Sequence, residues 1–245
     1  MNCRLILNYG VFAALFFVFT VGTTVAQQKK FEEDVFPARG GDLRIAFIGH
    51  GTLMITYENT VIHVDPVSMY ADYEIMPKAD IILVTHEHGD HLDANAIQAV
   101  ATSRTTLITN KASAKNLSNA IVMENGDTRS VDGITIEAVP AYNPEKPFHP
   151  KGNGNGYLIT LGGKRVFVAG DTEDVPEIKA LKNIDIAFLP MNLPFTMTPE
   201  QVADTARAMR PKILYPYHFG ETDTSALVRL MQDEKDIEVR IRNVK

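Results

Sequence analysis

Residues Thr85–Asp93 read THEHGDHLD, and they place three of the chain's seven histidines within six residues. The run before them, Asp80–Thr85, is apolar and β-branched between polar ends, which predicts a buried strand. Leu92–Ser103 carries helix formers with polar residues near its start, which predicts a helix. Gly89 adds the backbone freedom that a sharp turn requires. The histidines therefore lie on a tight turn that leaves a buried strand.

The spacing of these side chains predicts a metal site. His86 and His88 point the same way in an extended segment, so both can approach one cation. The turn then redirects Asp90 and His91 toward a neighbouring position. Imidazole and carboxylate groups bind zinc and related divalent metals, and two-metal sites hold their ions roughly 3.5–4 Å apart. A solvated polar turn is the alternative, but three histidines and an aspartate directly after a buried strand favour a metal site.

The first 26 residues differ from the rest of the chain. Arg4 is their only charge, Leu5–Val25 is largely apolar, and small residues precede Ala26. This pattern predicts a signal peptide that is cleaved after Ala26, and therefore export to the periplasm or medium. An uncleaved membrane anchor is the alternative, because about 20 apolar residues can span a bilayer. Cys3 is the only cysteine, so we expect neither disulfides nor a cysteine metal ligand.

The remaining composition predicts one globular α/β domain over residues 42–245, preceded by a linker or arm over residues 27–41. Without residues 1–26 the chain has 23 basic and 30 acidic residues, a net charge of −7. It has no basic block and no aromatic-basic stripe, which argues against nucleic acid as a partner. We expect a small-molecule substrate and no stable protein partner, and the oligomeric state stays open.

Strand patterns and turn residues predict two similar halves of strands and helices. In the first half, the GHGT turn at 49–52 separates two strands, and Asp65 ends a third. The predicted strands are Leu43–Ile48, Leu53–Tyr57, Thr60–Val64, Thr105–Thr109, Ile134–Pro140, Tyr157–Leu161, Arg165–Ala169, Ile184–Leu189, Pro211–Tyr217 and Ile237–Ile241. The further predicted helices are Lys111–Asn119, Pro176–Leu181, a helix capped by Thr198 that ends near Met209, and Thr224–Glu234.

The THEHGDH motif resembles that of the metallo-β-lactamase superfamily, and the resemblance extends from about Leu43 to the C-terminus. It implies an α/β fold, a four-layer αββα sandwich with a one- or two-metal site at the edges of the sheets. The GHGT turn and the strand that ends in Asp65-Pro66 resemble the ascorbate-6-phosphate lactonase-like branch in particular. That branch often carries a glycine pair where this chain has Asn192 and Leu193, which implies an altered pocket wall.

The resemblance also implies a ligand set. The AGDT segment at 169–172 is similar to the motif of the bridging aspartate, and a late strand precedes His218. Many members carry a histidine directly after the strand that ends near Pro140. This chain has Ala141–Pro144 there, and its next histidine is His149, in an FHPKG segment similar to that of lactonase-like relatives. One metal would then be held by His86, His88 and His149, the other by Asp90, His91 and His218, with Asp171 between them.

The resemblance assigns supporting roles to a few further residues. Asp65 would accept a hydrogen bond from a ligand imidazole and so orient it. His50 either lines the site or hydrogen-bonds the turn. Tyr142 is a candidate catalytic residue that would contact the substrate. Lys151 is a surface residue or a partner for a carboxylate or phosphate.

These residues predict a metal-dependent hydrolase. A water activated by two divalent ions would attack an ester, lactone or phosphoester, with Asp90 and Asp171 as catalytic carboxylates. Zinc is the expected metal, and manganese and iron are alternatives because the same ligands serve all three. The alternative functions are a phosphodiesterase or nuclease, a β-lactamase, and a metal-binding protein without catalysis.

Overall fold

Two mixed β-sheets of seven strands each form the centre of the structure, a computed structural model that describes Met1 and residues 31–244. The strands of the first sheet lie side by side in chain order, antiparallel from β1 to β4 and parallel from β4 to β7. They are β1 (Glu32–Ala38), β2 (Gly41–Gly49), β3 (Thr52–Tyr57), β4 (Thr60–Val64), β5 (Ile81–Leu83), β6 (Thr106–Thr109) and β7 (Ile121–Val122).

The second sheet repeats this plan, antiparallel from β8 to β11 and parallel from β11 to β14. Its strands are β8 (Thr128–Val131), β9 (Ile134–Ala141), β10 (Gly154–Leu161), β11 (Lys164–Val168), β12 (Ile186–Pro190), β13 (Ile213–Tyr217) and β14 (Glu238–Val239). The prediction of two similar halves is confirmed.

The sheets pack face to face around an apolar core. On β5, Ile81 and Leu83 belong to the core between the sheets, whereas Ile82 belongs to a second cluster with α1. This division follows from the alternation of side chains along a strand. Phe47 of β2 contacts Phe188 and Tyr215 of the second sheet, with ring centroids 6.1 and 5.1 Å apart. The core therefore holds the two sheets, and the loops at their edges, in register.

Helices cover the outer faces and complete the predicted αββα sandwich. The helix α1 packs on the first sheet through Ala96, Ile97 and Val100, and the other three pack beside the second sheet. The helices are α1 (Ala94–Val100), α2 (Pro176–Lys179), α3 (Pro199–Met209) and α4 (Thr224–Met231). The predicted cap of α3 is confirmed: Thr198 Oγ1 accepts from the Gln201 amide at 3.2 Å, and Gln201 Oε1 accepts from the Thr198 amide at 2.9 Å.

Two predictions of local structure were wrong. Residues 32–38 form β1 instead of a linker, because Phe36 of this segment is buried in the core and the charges around it suit an edge strand. Residues 111–119 form only a short 3₁₀ helix, Ser113–Asn116, because Ala112 supplies no capping side chain and the backbone is extended again at Leu117.

Apart from Met1, the predicted signal peptide of residues 1–26 lies outside the described residues and stays a prediction. None of the helices in the described part of the chain has the length and apolar character that a membrane span requires.

Candidate metal centre

The predicted ligands meet at one edge of the two sheets because each follows the end of a strand or lies on a connecting loop. The motif of Thr85–His91 follows β5, Asp171 follows β11, and His218 follows β13. Parallel neighbours end at the same edge of a sheet, which brings their carboxyl ends together. The long loop between β9 and β10 carries His149 to the same place.

The first group of predicted ligands, which could hold a metal ion, consists of His86, His88 and His149. His88 Nδ1 lies 3.1 Å from His86 Nε2 and 3.2 Å from His149 Nε2. Asp171 Oδ2 lies 3.2 Å from His149 Nε2 and 3.9 Å from His86 Nε2. The structure thus brings His149 together with the two histidines of the motif.

The second group surrounds the other oxygen of Asp171. Asp171 Oδ1 lies 3.4 Å from His91 Nε2 and 3.6 Å from His218 Nε2. Asp90 Oδ2 lies 3.3 Å from His218 Nε2 and 3.8 Å from His91 Nε2. The two oxygens of Asp171 therefore face the two halves of the site, as a bridging carboxylate must. We call these seven predicted ligands the His/Asp cluster: His86, His88, Asp90, His91, His149, Asp171 and His218.

Asp65 occupies the supporting position that was predicted for it. Its Oδ2 lies 2.7 Å from His91 Nδ1 and accepts from Thr85 Oγ1 at 2.7 Å. Its Oδ1 accepts from the Thr85 backbone amide at 2.7 Å. A buried carboxylate at Nδ1 holds the proton on that nitrogen, which leaves the lone pair of His91 Nε2 directed at the other ligands.

Three buried atoms of the His/Asp cluster have no hydrogen-bond partner among the described residues: His218 Nδ1, His91 Nε2 and Asp171 Oδ1, and the last two face each other. Buried polar groups are almost always paired, so an unpaired nitrogen 3.4 Å from an unpaired carboxylate oxygen calls for an explanation. A cation between them satisfies both. The donor set of imidazoles and carboxylates fits divalent zinc, manganese or iron.

The pKa shifts within the cluster are also consistent with a bound divalent cation. Burial lowers the pKa of His86 well below its ordinary value, and the neighbouring imidazole of His91 adds to this effect, so His86 is neutral. Burial by itself lowers the pKa of His91. The carboxylates of Asp171 and Asp65, with a smaller effect from Asp90, outweigh burial and raise that pKa to about 9. The centre of the cluster therefore favours a positive charge.

Several site residues adopt the left-handed backbone region that glycine usually occupies. The φ angles are 51° for His50, 46° for Asp65, 55° for His149 and 48° for His218. This conformation costs a residue with a side chain roughly 1 kcal/mol or more. Strain of this kind persists where the surrounding structure holds it, and it is concentrated at functional sites.

Gly51, in the GHGT turn, is required by the close approach of the cluster. A Cβ atom built on it would lie 2.7 Å from His91 Cε1 and 3.4 Å from His218 Cδ2. The glycine therefore lets the backbone of the first turn pass directly beside two predicted ligands.

The structure decides between the two roles that the sequence left open for His50. Its Nε2 lies 3.4 Å from Asp90 Oδ2, and its ring centroid lies 3.8 Å from that of His218. His50, Asp90 and His218 form one of the groups that could hold a metal ion. His50 therefore lines the site, on the side of Asp90 and His218.

Tyr142 is the predicted site residue that the structure does not bring to the cluster. Its hydroxyl contacts Glu177 Oε2 at 3.1 Å and Lys151 Nζ at 3.2 Å. Lys151 in turn pairs with Glu177 at 3.0 Å. The hydroxyl of Tyr142 is bound in this surface triad, and contact between Tyr142 and the substrate stays a prediction. Lys151 is likewise a surface residue, with 63% of its side chain exposed.

Sequence reasoning missed Asn143. Its side-chain amide lies 3.1 Å from His149 Nδ1 and donates to the Phe195 carbonyl at 2.8 Å. The backbone amide of Asn143 also donates to the His149 carbonyl at 2.8 Å. Asn143 therefore orients His149. The local signal was that the Ala141–Pro144 segment stands in place of the usual histidine. This replacement does not predict a hydrogen bond from Asn143 to the Phe195 carbonyl, 52 residues away.

A cavity of about 210 Å³ lies over the cluster, and we call it the outer cavity. Five of its lining residues belong to the His/Asp cluster, and the others belong to two loops. The lining residues are His88, Asp90, Phe148, His149, Asp171, Asn192, Phe195 and His218. The predicted metal centre is therefore open to a small molecule from one side.

Comparisons with known proteins support this assignment. The family model described as the beta-lactamase superfamily domain matches residues 44–218. The UPF0173 metal-dependent hydrolase of Thermus thermophilus is 31% identical over 194 residues, 73% of this chain and 84% of its own. The UPF0173 metal-dependent hydrolase of Pelotomaculum thermopropionicum is 28% identical over 222 residues, 81% of this chain and 96% of its own.

A solved structure is similar over more of the chain. It is a candidate metal-dependent hydrolase from Parabacteroides distasonis, with 54% identity and a TM-score of 0.85 over 88% of this chain and all of that one. None of these three proteins is described as an ascorbate-6-phosphate lactonase, so membership of that branch stays a prediction.

Proposed function

The chain belongs to the metallo-β-lactamase superfamily, among its metal-dependent hydrolases, and from that premise we propose that it uses two divalent metal ions, zinc in the first place, to hydrolyse an ester, a lactone or a phosphoester. The observation that carries the proposal is the position of Asp171. Its two oxygens lie 3.2 Å from His149 Nε2 and 3.4 Å from His91 Nε2, one in each half of the cluster. A single metal would leave one of these halves without a cation.

Some of these residues would bind the metals, and others would orient the ligands or the attacking water. Two metals held by the His/Asp cluster would lower the pKa of water toward neutrality and stabilise the negative charge that develops on a substrate oxygen. Asp90 lines the outer cavity with 41% of its side chain exposed, so it can orient a water beside the substrate. Asp65 holds the tautomer of His91, and Asn143 orients His149.

Metal analysis combined with a substrate panel tests the proposal. The purified chain is loaded with zinc, manganese or iron, and the bound metal is measured by mass spectrometry. Hydrolysis of a lactone, a simple ester and a bis-phosphodiester is then followed before and after chelation. We expect about two metal equivalents and turnover that chelation abolishes and metal restores.

The other outcomes distinguish the remaining functions. Turnover of the phosphodiester alone would favour a phosphodiesterase. Tight binding of metal without turnover of any substrate would contradict hydrolysis and favour a metal-binding protein. Turnover that survives complete removal of metal would contradict the proposed site itself.

A further inference from the structure

The outer cavity has two unlike sides. One side is the His/Asp cluster, and the other consists of Phe148, Asn192 and Phe195. The two aromatic rings pack edge to face, with centroids 5.2 Å apart and an interplanar angle of 64°. Phe148 and Phe195 remain 37% and 41% exposed, and Leu193 on the same loop is 45% exposed. Apolar side chains grouped at the mouth of a polar cleft are typical of a surface that binds a ligand.

The aromatic pair is held in place relative to the predicted ligands. Asn143 contacts His149 Nδ1 and donates to the Phe195 carbonyl, so one side chain connects a ligand with the aromatic loop. The Phe195 backbone amide also donates to the Asn192 carbonyl at 2.8 Å. The distance between the apolar side and the metal centre is therefore set by the fold and does not depend on a bound ligand.

The apolar side of the cavity offers no partner for an anion. Neither lysine nor arginine is among the described residues that line it. Lys146, which contacts the same loop, donates to the Thr196 carbonyl and pairs with Glu173 at 3.2 Å. An ionised substituent placed there would lose water without gaining a countercharge, which is costly. A neutral apolar group would instead bury aromatic surface.

We propose that the outer cavity selects a neutral carboxylic ester or lactone whose apolar substituent, an aryl ring or a short alkyl chain, packs on Phe148 and Phe195. This inference rests on the proposed hydrolase function and narrows its substrate class. The volume is sufficient, because an engineered apolar cavity of about 150 Å³ accepts benzene and the outer cavity measures about 210 Å³.

The reaction is a simple hydrolysis. Water forms a new bond to the carbonyl carbon, the bond from that carbon to the alkoxy oxygen breaks, and a proton from the water passes to the departing oxygen. A lactone yields one hydroxy acid, which releases one proton near neutral pH. Proton release therefore reports turnover without a chromophore in the substrate.

Three γ-butyrolactones that carry hydrogen, phenyl or carboxylate at the γ-carbon test the proposal by proton release with the metal-loaded chain. We expect kcat/KM for the phenyl lactone to exceed that for the unsubstituted lactone about tenfold, and the carboxylate lactone to be the poorest substrate. In Phe195→Ala, the ratio of kcat/KM for the phenyl lactone to that for the unsubstituted lactone should fall close to one. Phe195→Leu should retain most of this ratio. Val35→Ala removes part of an exposed side chain on β1 and serves as the matched control, with an unchanged preference.

A binding measurement separates this inference from the proposed function. The γ-phenyl lactam, which resists hydrolysis, is titrated by ligand-observed NMR against the wild type and Phe195→Ala. If Phe195→Ala weakens lactam binding but the wild type turns over no lactone, ester or phosphodiester, the apolar cavity is supported and the proposed hydrolase function is contradicted. Equal rates for the three lactones, or a preference for the carboxylate lactone, would support the hydrolase function and contradict selection by the apolar side of the cavity.

Discussion

Two groups of ionisable side chains, both assembled from distant parts of the chain, differ in how completely the protein satisfies them. One is the His/Asp cluster. The other, which we call the Asp34 cluster, consists of Asp34, Tyr215, Arg240 and Arg242. In the Asp34 cluster, Arg242 Nη2 lies 2.8 and 2.7 Å from the two Asp34 oxygens, and Arg240 Nη1 lies 3.1 Å from Oδ2. The Tyr215 hydroxyl donates to the same carboxylate.

This difference indicates that the Asp34 cluster is structural and that the His/Asp cluster needs a bound cation to satisfy its polar atoms. The Asp34 cluster pairs one carboxylate with two arginines and a hydroxyl, so the chain alone completes it. In the His/Asp cluster, imidazoles approach one another to 3.1–3.2 Å, and His91 Nε2 and Asp171 Oδ1 stay unpaired within the described part of the chain. Buried nitrogen and oxygen acceptors that surround a position without a positively charged partner are typical of a metal site. The four predictions that follow test this contrast, in order of expected effect.

The largest effect is expected from Asp171→Asn. The substitution keeps the size of the side chain but removes the charge that faces both halves of the cluster. We expect the bound metal to fall from about two equivalents to one or fewer, and metal-dependent hydrolysis to fall to background. Metal analysis and initial rates measure the two effects, and circular dichroism checks that the fold persists. Asp42→Asn, at an exposed carboxylate of β2, is the matched control, and two metals with full activity in Asp171→Asn would refute the site.

The next effect is expected from Asp65→Asn. Asp65 touches no predicted metal position and acts through His91 Nδ1, 2.7 Å away. An amide in its place no longer holds the proton on that nitrogen, so the lone pair of Nε2 is less available. Partners of this kind change metal affinity by roughly 10- to 100-fold. Competition with a chromogenic chelator measures the affinity, and an unchanged value would show that Asp65 serves the fold alone.

Substitution in the Asp34 cluster should lower the protein's free energy of unfolding and leave its metal content unchanged. Asp34→Asn removes the carboxylate that two half-buried arginines share, although Arg240 keeps Glu238 and Arg242 keeps Glu32. We expect a loss of about 2 kcal/mol in the free energy of unfolding. Denaturant titration measures the loss, and metal analysis of the folded variant should match the wild type. Glu33→Gln is the control, because the exposed pair of Glu33 with Arg44 contributes little. A loss of metal in Asp34→Asn would mean that the two clusters are coupled.

The smallest effect is a dependence of stability on pH. Burial by itself raises the pKa of Asp34, but hydrogen bonds from Arg242, Tyr215 and Arg240 outweigh burial and hold the pKa below its ordinary value of 3.8. A carboxylate whose pKa is lower in the folded state contributes stability above about pH 4, and that contribution is lost as the pH falls through the folded-state pKa. Between pH 5 and pH 3, the wild type should therefore lose more stability than Asp34→Asn. Parallel curves for the two proteins in denaturant titrations would contradict this assignment.

The elements that the sequence predicted well share a local signal. The helix from Pro199 to Met209 has a complete capping box within four residues, and β4 is bounded by turn residues on both sides. The turn of the THEHGDH motif follows a buried strand as predicted, but it does not require the freedom of Gly89, whose φ is not positive and whose Cβ atom would meet nothing within 4 Å. The strand β1 was not predicted although its strand partner β2 follows directly. Its charges resemble those of a linker, because the arginines that pair with Asp34, Arg240 and Arg242, lie more than 200 residues away.

The candidate site divides in the same way. His86, His88, Asp90 and His91 follow from spacing alone, and resemblance to the superfamily extends the set to Asp171, His218 and His149, whose roles as ligands stay predictions. The sequence did not predict the partner of the Tyr142 hydroxyl, because Glu177 lies on α2, 35 residues away. Asn143 was missed because an asparagine beside a proline indicates only a turn.

The sequence by itself determined the fold class, the type of chemistry and the edge of the sheets at which it occurs. The strands, the turns and the metal-binding spacing follow from short-range physics, because side chains alternate along strands and turns require particular residues. The fold class, the hydrolytic chemistry and the position at the sheet edges follow from the resemblance to the superfamily. Only the tertiary structure decided which oxygen of Asp171 faces which histidines, that His50 lines the site, and that Phe148 and Phe195 form the apolar side of the outer cavity. Those facts depend on loops that lie at least 22 residues apart along the chain, as His149 and Asp171 do. Their contacts are set by the packing of two sheets and not by any pattern along the chain.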